Sequence, residues 1–107
     1  MKQYEGRRTG RGVEVTVNGV PLNPRLDLHN HSPTGMEWGY CGSGPAQLAL
    51  AILDDHLSDD AQALNLYQRF KWAVIAELPR KRWMLTSADI DQAVQRIREA
   101  EAEGVAS

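Results

Sequence analysis

The chain has 107 residues, 42% of them hydrophobic and 24% charged, with a formal net charge of −2 and a single cysteine, Cys41. A chain of this length and balance reads as one domain, 1–107, around a single modest core. The composition excludes a disordered polymer, an internal disulfide, a multi-cysteine zinc site and any overall attraction to nucleic acid.

From Tyr4 to Val17 the pattern predicts a β-hairpin around Thr9-Gly10-Arg11-Gly12, with Val13, Val15 and Val17 turned to the core and Glu14 and Thr16 turned away. Asn18-Gly19 predicts a tight primed turn, and Val20-Pro21-Leu22 a short returning strand that Pro21 and Pro24 keep at an edge. This β-rich part spans residues 1–22. Residues 23–42 read as an ordered loop, because Leu26, Leu28, Met36, Trp38 and Tyr40 stand among its glycines and prolines. Loops of that length inside a compact domain are commonly functional.

Helical sequence runs over residues 43–103. The first helix is expected to start at Ser43 or Gly44 with a polar cap, Pro45 in its first turn and Gln47 reaching back, and to run to about His56. Its leucines and alanines point in all directions, the pattern of a helix buried on most sides. Ser58-Asp59-Asp60 opens a second helix, which Pro79 is expected to end. There Ala63, Leu66, Tyr67, Phe70, Val74 and Leu78 form the apolar stripe, while Trp72 falls on the far side with Asn65, Gln68 and Arg69. A short strand is predicted near 83–85. Thr86-Ser87-Ala88-Asp89 is a capping box for a third helix with Ile90, Ala93, Val94, Ile97 and Ala100 as its stripe and Gly104 loosening its end. The fold class expected is α+β: a small antiparallel sheet packed with three helices.

Several residues carry possible chemistry. Two histidines at i and i+2 on extended chain project to the same side, so Asp27, His29 and His31, with Glu37, are candidate metal ligands. The six residues Asp27-Leu28-His29-Asn30-His31-Ser32 resemble the first metal motif of the PHP phosphoesterases, enzymes that need further His, Asp and Glu ligands on a much longer chain. The competing reading is a turn whose polar side chains bond its own backbone. Cys41 lies just ahead of a helix start, where a thiol is activated if a base such as His31 approaches. Gly42-Ser43-Gly44-Pro45 is a candidate anion cradle without the lysine of a P-loop. Arg7, Arg8, Arg11 and Arg80-Lys81-Arg82 are candidate phosphate contacts. Against these stand Met36, Glu37, Trp38, Tyr40 and Trp72, side chains of the kinds that dominate protein interfaces.

Tyr4-Glu5-Gly6-Arg7, His31-Ser32-Pro33-Thr34-Gly35, Glu37-Trp38-Gly39-Tyr40 and Ser43-Gly44-Pro45-Ala46-Gln47-Leu48-Ala49 together resemble a family of small proteins from bacteria, phages and mobile elements known only as a domain of unknown function. The resemblance implies no catalytic residues. It also implies that Cys41 and His29 stand where other residues are common, which turns the reading away from thiol and metal chemistry.

The expectation is therefore a non-enzymatic protein-binding module of mobile-element or phage type, an inhibitor or modulator of a bacterial defence complex, with no cofactor. A small metal- or ligand-dependent enzyme using the 27–37 loop is the alternative, and a nucleic-acid binder the third. MKQYEGRRTG has no signal-type apolar core, and the longest apolar run, Leu48 to Leu53, is too short to cross a bilayer, so a cytoplasmic protein with no membrane partner is expected.

Overall fold

In the computed structural model, which describes residues 1–32 and 35–106, the chain is an α+β fold with a four-stranded antiparallel sheet and three helices. The strands are β1 (Gln3–Thr9), β2 (Gly12–Val17), β3 (Val20–Pro21) and β4 (Arg82–Thr86), and they lie in the order β3-β2-β1-β4. The helices are α1 (Ser43–Leu57), α2 (Asp60–Ala73) and α3 (Ser87–Ala106).

Local chemistry accounts for most of these bounds. Asn18 and Gly19 both adopt positive φ, the primed-turn geometry that matches strand twist, and the turn returns the chain from β2 to β3. Asp59 caps α2 by accepting from the N–H of Gln62. At the start of α3 the capping box is reciprocal: the Thr86 N–H donates to the Asp89 carboxylate (2.9 Å) and the Asp89 N–H to the Thr86 hydroxyl (3.2 Å). Ser58 ends α1 in the left-handed conformation (φ 52°), where its N–H bonds back to Asp54.

The helices differ from expectation at four points. Gly42 is the N-cap of α1 and gives no side-chain cap, while Gln47 points into the loop rather than back to the helix start. The second helix stops at Ala73, well short of Pro79, and continues as a single 3₁₀ turn, Ile75–Glu77. Val74 and Ile75 are consecutive β-branched residues, and the Ile75 carbonyl accepts from the Leu78 N–H, which closes the 3₁₀ turn, and from the Gly39 N–H of the loop. Leu78 therefore packs from the connector and not from the α2 stripe. In α3 the buried stripe ends at Ile97, Ala100 is exposed, and the helix passes through Gly104.

The core lies between the inner face of the sheet and α1. Every residue of α1 from Gly44 to Asp54 is buried, including an unbroken run of leucine, isoleucine and alanine, as an all-round apolar helix requires. Tyr4, Gly6 and Arg8 of β1, Val15 of β2 and Trp83 of β4 face it. The Tyr4 hydroxyl donates to Asp55 on α1 (2.6 Å), and burial together with that carboxylate pushes the phenol far above its ordinary range.

Gly6 sits directly across from Trp83 in the sheet. A Cβ on Gly6 would fall 2.4 Å from the Trp83 indole, which is itself held edge-on against Trp38 (centroids 5.7 Å apart, 83° between planes). The indole occupies the space that a side chain on β1 would fill. Gly6→Ala is accordingly expected to destabilise the fold by about 1–3 kcal/mol, the range for overpacking a filled core; urea denaturation measures it.

Candidate functional site

The loop between β3 and α1 carries most of the candidate residues, and two anchors hold it. The first is Gln47, buried on α1: its Oε1 accepts from the N–H groups of His31 (2.8 Å) and Ser32 (3.3 Å), and its Nε2 donates to the Pro24 carbonyl (2.5 Å). The second is Arg25, whose guanidinium bonds Asp27, Asp54 and Asp60 and so ties the start of the loop to the junction of α1 and α2. Arg25 holds the Asp27 carboxyl below its usual range, whereas burial, then hydrogen bonding with Asp60, raises that of Asp54.

Glu37, Trp38 and Arg8 form one unit at the far end of the loop. The Arg8 guanidinium meets the Glu37 carboxylate through two parallel bonds (3.0 and 2.8 Å) and lies 5.0 Å from the centre of the Trp38 ring. Trp38 has no exposure; its Nε1 donates to the carbonyls of Pro79 (2.9 Å) and Arg80 (3.0 Å). Trp38 is thus a core residue that locks the loop to the α2–β4 connector, which corrects its expected place on a docking face. The rest of that set divides. Met36, Glu37 and Tyr40 line one hollow of about 460 Å³ with Ser32, Gly35 and Ser43, and Tyr40 is 47% exposed. Met36 is half-buried and packs against the core.

Trp72 stands apart on α2, 65% exposed, with the Lys71 ammonium 5.5 Å from its ring centre. Sequence periodicity had placed it on the outer side with Asn65, Gln68 and Arg69, and all of these are exposed. Lys71 also lies close enough to His31 for its charge to matter: burial first, then His29 and Lys71, lowers the His31 pKa.

The His29 and His31 rings stack face to face, 3.9 Å apart and 8° from parallel. Ring-nitrogen lone pairs lie in the ring plane, so two parallel rings aim them side by side and not at one shared ion. His31 Nε2 is moreover bonded to the Tyr67 hydroxyl (2.5 Å), and Asp27 is held by Arg25. Asp27, His29, His31 and Glu37 do not converge, and no group of three or more His, Cys, Asp and Glu side chains among the described residues is placed to hold a metal ion.

The other chemical candidates fare similarly. Cys41 is exposed, and the imidazole expected to serve as its base is engaged with Tyr67. The N-terminus of α1 packs under Glu37, since a Cβ on Gly44 would lie 2.7 Å from the Glu37 Cβ, and a carboxylate there opposes an anion. Arg7 and Arg8 point to opposite faces of the sheet, and each is paired, Arg7 with Glu14 and Arg8 with Glu37. No helix among the described residues is long and apolar enough to cross a membrane.

Residues 4–96 match the model of a family described as Family of unknown function (DUF6166). The chain belongs to that family. The match covers both anchors of the loop, the Arg8–Glu37–Trp38 unit and Trp72. No curated protein and no solved structure matches the chain significantly. Family membership therefore brings no activity with it, and the reading of the site rests on its geometry.

Arg8 depresses the Glu37 pKa, with burial opposing. The sign follows from linkage: a folded-state pKa below the unfolded value gives stability that is present above the unfolded pKa and is lost as pH falls through the folded one. Glu37→Gln is expected to lower the melting temperature by a few degrees at neutral pH. The gap from the unsubstituted protein should close as pH drops below the ordinary glutamate range, which thermal melts across that range will measure.

Proposed function

We propose that this DUF6166 protein is a small non-enzymatic binding module whose partner is another protein, docking on the outer face of α2 that carries Trp72 and Lys71. The observation that carries the reading is Trp72. A tryptophan held 65% exposed on an ordered helix has no role in the core, and large rigid aromatics are the residues that contribute most to protein interfaces. The Lys71 ammonium borders it, a polar and charged surround of the kind that flanks an aromatic anchor. Tyr40 and the hollow beside it offer a second contact area at the loop tip.

The finer proposal, that the partner belongs to a bacterial defence complex and that the protein acts from a phage or mobile element in the cytoplasm, rests on the sequence resemblance alone. The ligand-dependent enzyme draws less support, because Asp27, His31 and Glu37 are held by Arg25, Tyr67 and Arg8, and the nucleic-acid binder less because the net charge is −2 and Arg7 and Arg8 are paired with Glu14 and Glu37.

Capture of partners from a bacterial lysate by the tagged protein, followed by titration of the purified partner, tests the reading. Trp72→Ala is expected to weaken that binding by about 30-fold or more, as hot-spot aromatics do, with an unchanged circular dichroism spectrum. Undiminished binding by this variant would rule out the Trp72 face.

A further inference from the structure

The two edges of the sheet are unlike. β3 has only two residues, one of them Pro21, so that edge offers almost nothing to a further strand. β4 has five, without proline, and their backbone directions follow from the register. The Arg8 N–H donates to the Lys81 carbonyl and the Ser87 N–H to the Lys2 carbonyl, so hydrogen-bonded pairs of β1 and β4 fall at Gly6–Trp83 and Tyr4–Leu85. Asn18 donating to the Gln3 carbonyl confirms the alternation from the other side of β1. The N–H and C=O groups of Arg82 and Met84 therefore point away from the sheet, and none has a partner among the described residues. The Thr86 N–H points the same way and is already taken by Asp89. Met84 is 56% exposed above this edge.

We infer that β4 pairs with β4 of a second copy of the chain, antiparallel about a two-fold axis between the two Trp83 residues. In this register each Met84 N–H donates to the Arg82 carbonyl of the other copy, and each Arg82 N–H to the Met84 carbonyl. All the unpaired groups of Arg82 and Met84 are then satisfied, while Thr86 keeps its cap. Charge selects a second copy as the occupant. β4 is entered by the basic run Arg80-Lys81-Arg82 and leaves into the first turn of α3, which carries the carboxylate of Asp89. Antiparallel pairing sets the basic end of one copy beside the acidic end of the other, at both ends at once. Because the β3 edge is blunted, pairing stops at two copies and gives a closed dimer rather than a growing ribbon.

Sedimentation velocity and light scattering from micromolar to millimolar concentration test this. The full chain is expected to dimerise. Met84→Pro removes an N–H that the monomer's own sheet does not use, and Met84→Lys places a cation opposite Glu5 in the monomer but opposite Arg82 of the second copy. Both variants are expected to be monomeric with unchanged circular dichroism, and the lysine variant decides the matter if the proline variant fails to fold. A chain that stays monomeric throughout, or a dimer that survives Met84→Lys, would overturn the proposal. So would a monomer whose β4 edge instead takes up an added extended acidic peptide, seen as shifts of the Arg82 and Met84 amide signals.

Discussion

Gln47 lies in the most apolar helix of the protein with no exposure to solvent, and its amide is bonded to backbone groups of Pro24, His31 and Ser32. A buried amide without partners is costly, and so are buried backbone groups without partners. Each therefore requires the other, and Pro24, His31 and Ser32 are held against α1 by one side chain. The placement of His31, and of the His29 ring stacked on it, follows from these bonds. Arg25, next to the held Pro24, is bonded to the carboxylates of Asp54 and Asp60.

The sheet side of the core is organised by a similar mutual dependence. Gly6 leaves room for the Trp83 indole, Trp83 supports the edge of Trp38, and Trp38 supports the guanidinium of Arg8, which holds Glu37. Arg8 also donates to the Arg80 carbonyl, so the connector before β4 is drawn into the same set. The chain of contacts crosses β1, β4, the loop and the connector. It explains why half-buried charge is tolerated there: each charged group is bonded to the other, and the aromatic face covers what remains.

Where sequence periodicity was strong, it was a good guide. The alternating valines of β2, the Asn18-Gly19 turn, the capping box at Thr86 and Asp89 and the all-round burial of α1 are local or nearly local patterns, and the structure has each of them. Trp72 was legible for the same reason, as its angle on the helix puts it away from Leu66, Tyr67 and Phe70. The failures are all long-range. Nothing near Trp38 in the chain marks it as buried; its partners lie in β1, β4 and the connector. Gln47 read as a capping residue because its spacing from Ser43 permits that, while its true partners precede α1 by more than ten residues. The turn that follows α2 is bonded to Gly39 of the distant loop. His29 and His31 have ligand spacing, but the His31 ring is bonded to Tyr67 of α2, which lies far along the chain. The glycine at position 6 carries no local signal of strain at all; its reason is an indole across the sheet.

The three tryptophans are distributed so that their emission can be separated. Trp38 and Trp83 are shielded in the core against each other, and Trp72 faces water beside an ammonium group. A small aqueous quencher reaches only the last, so the quenchable part of the fluorescence reports on the outer face of α2 and the protected part on the integrity of the core. The unlabelled protein can thus signal occupation of its surface and loss of its fold on separate channels.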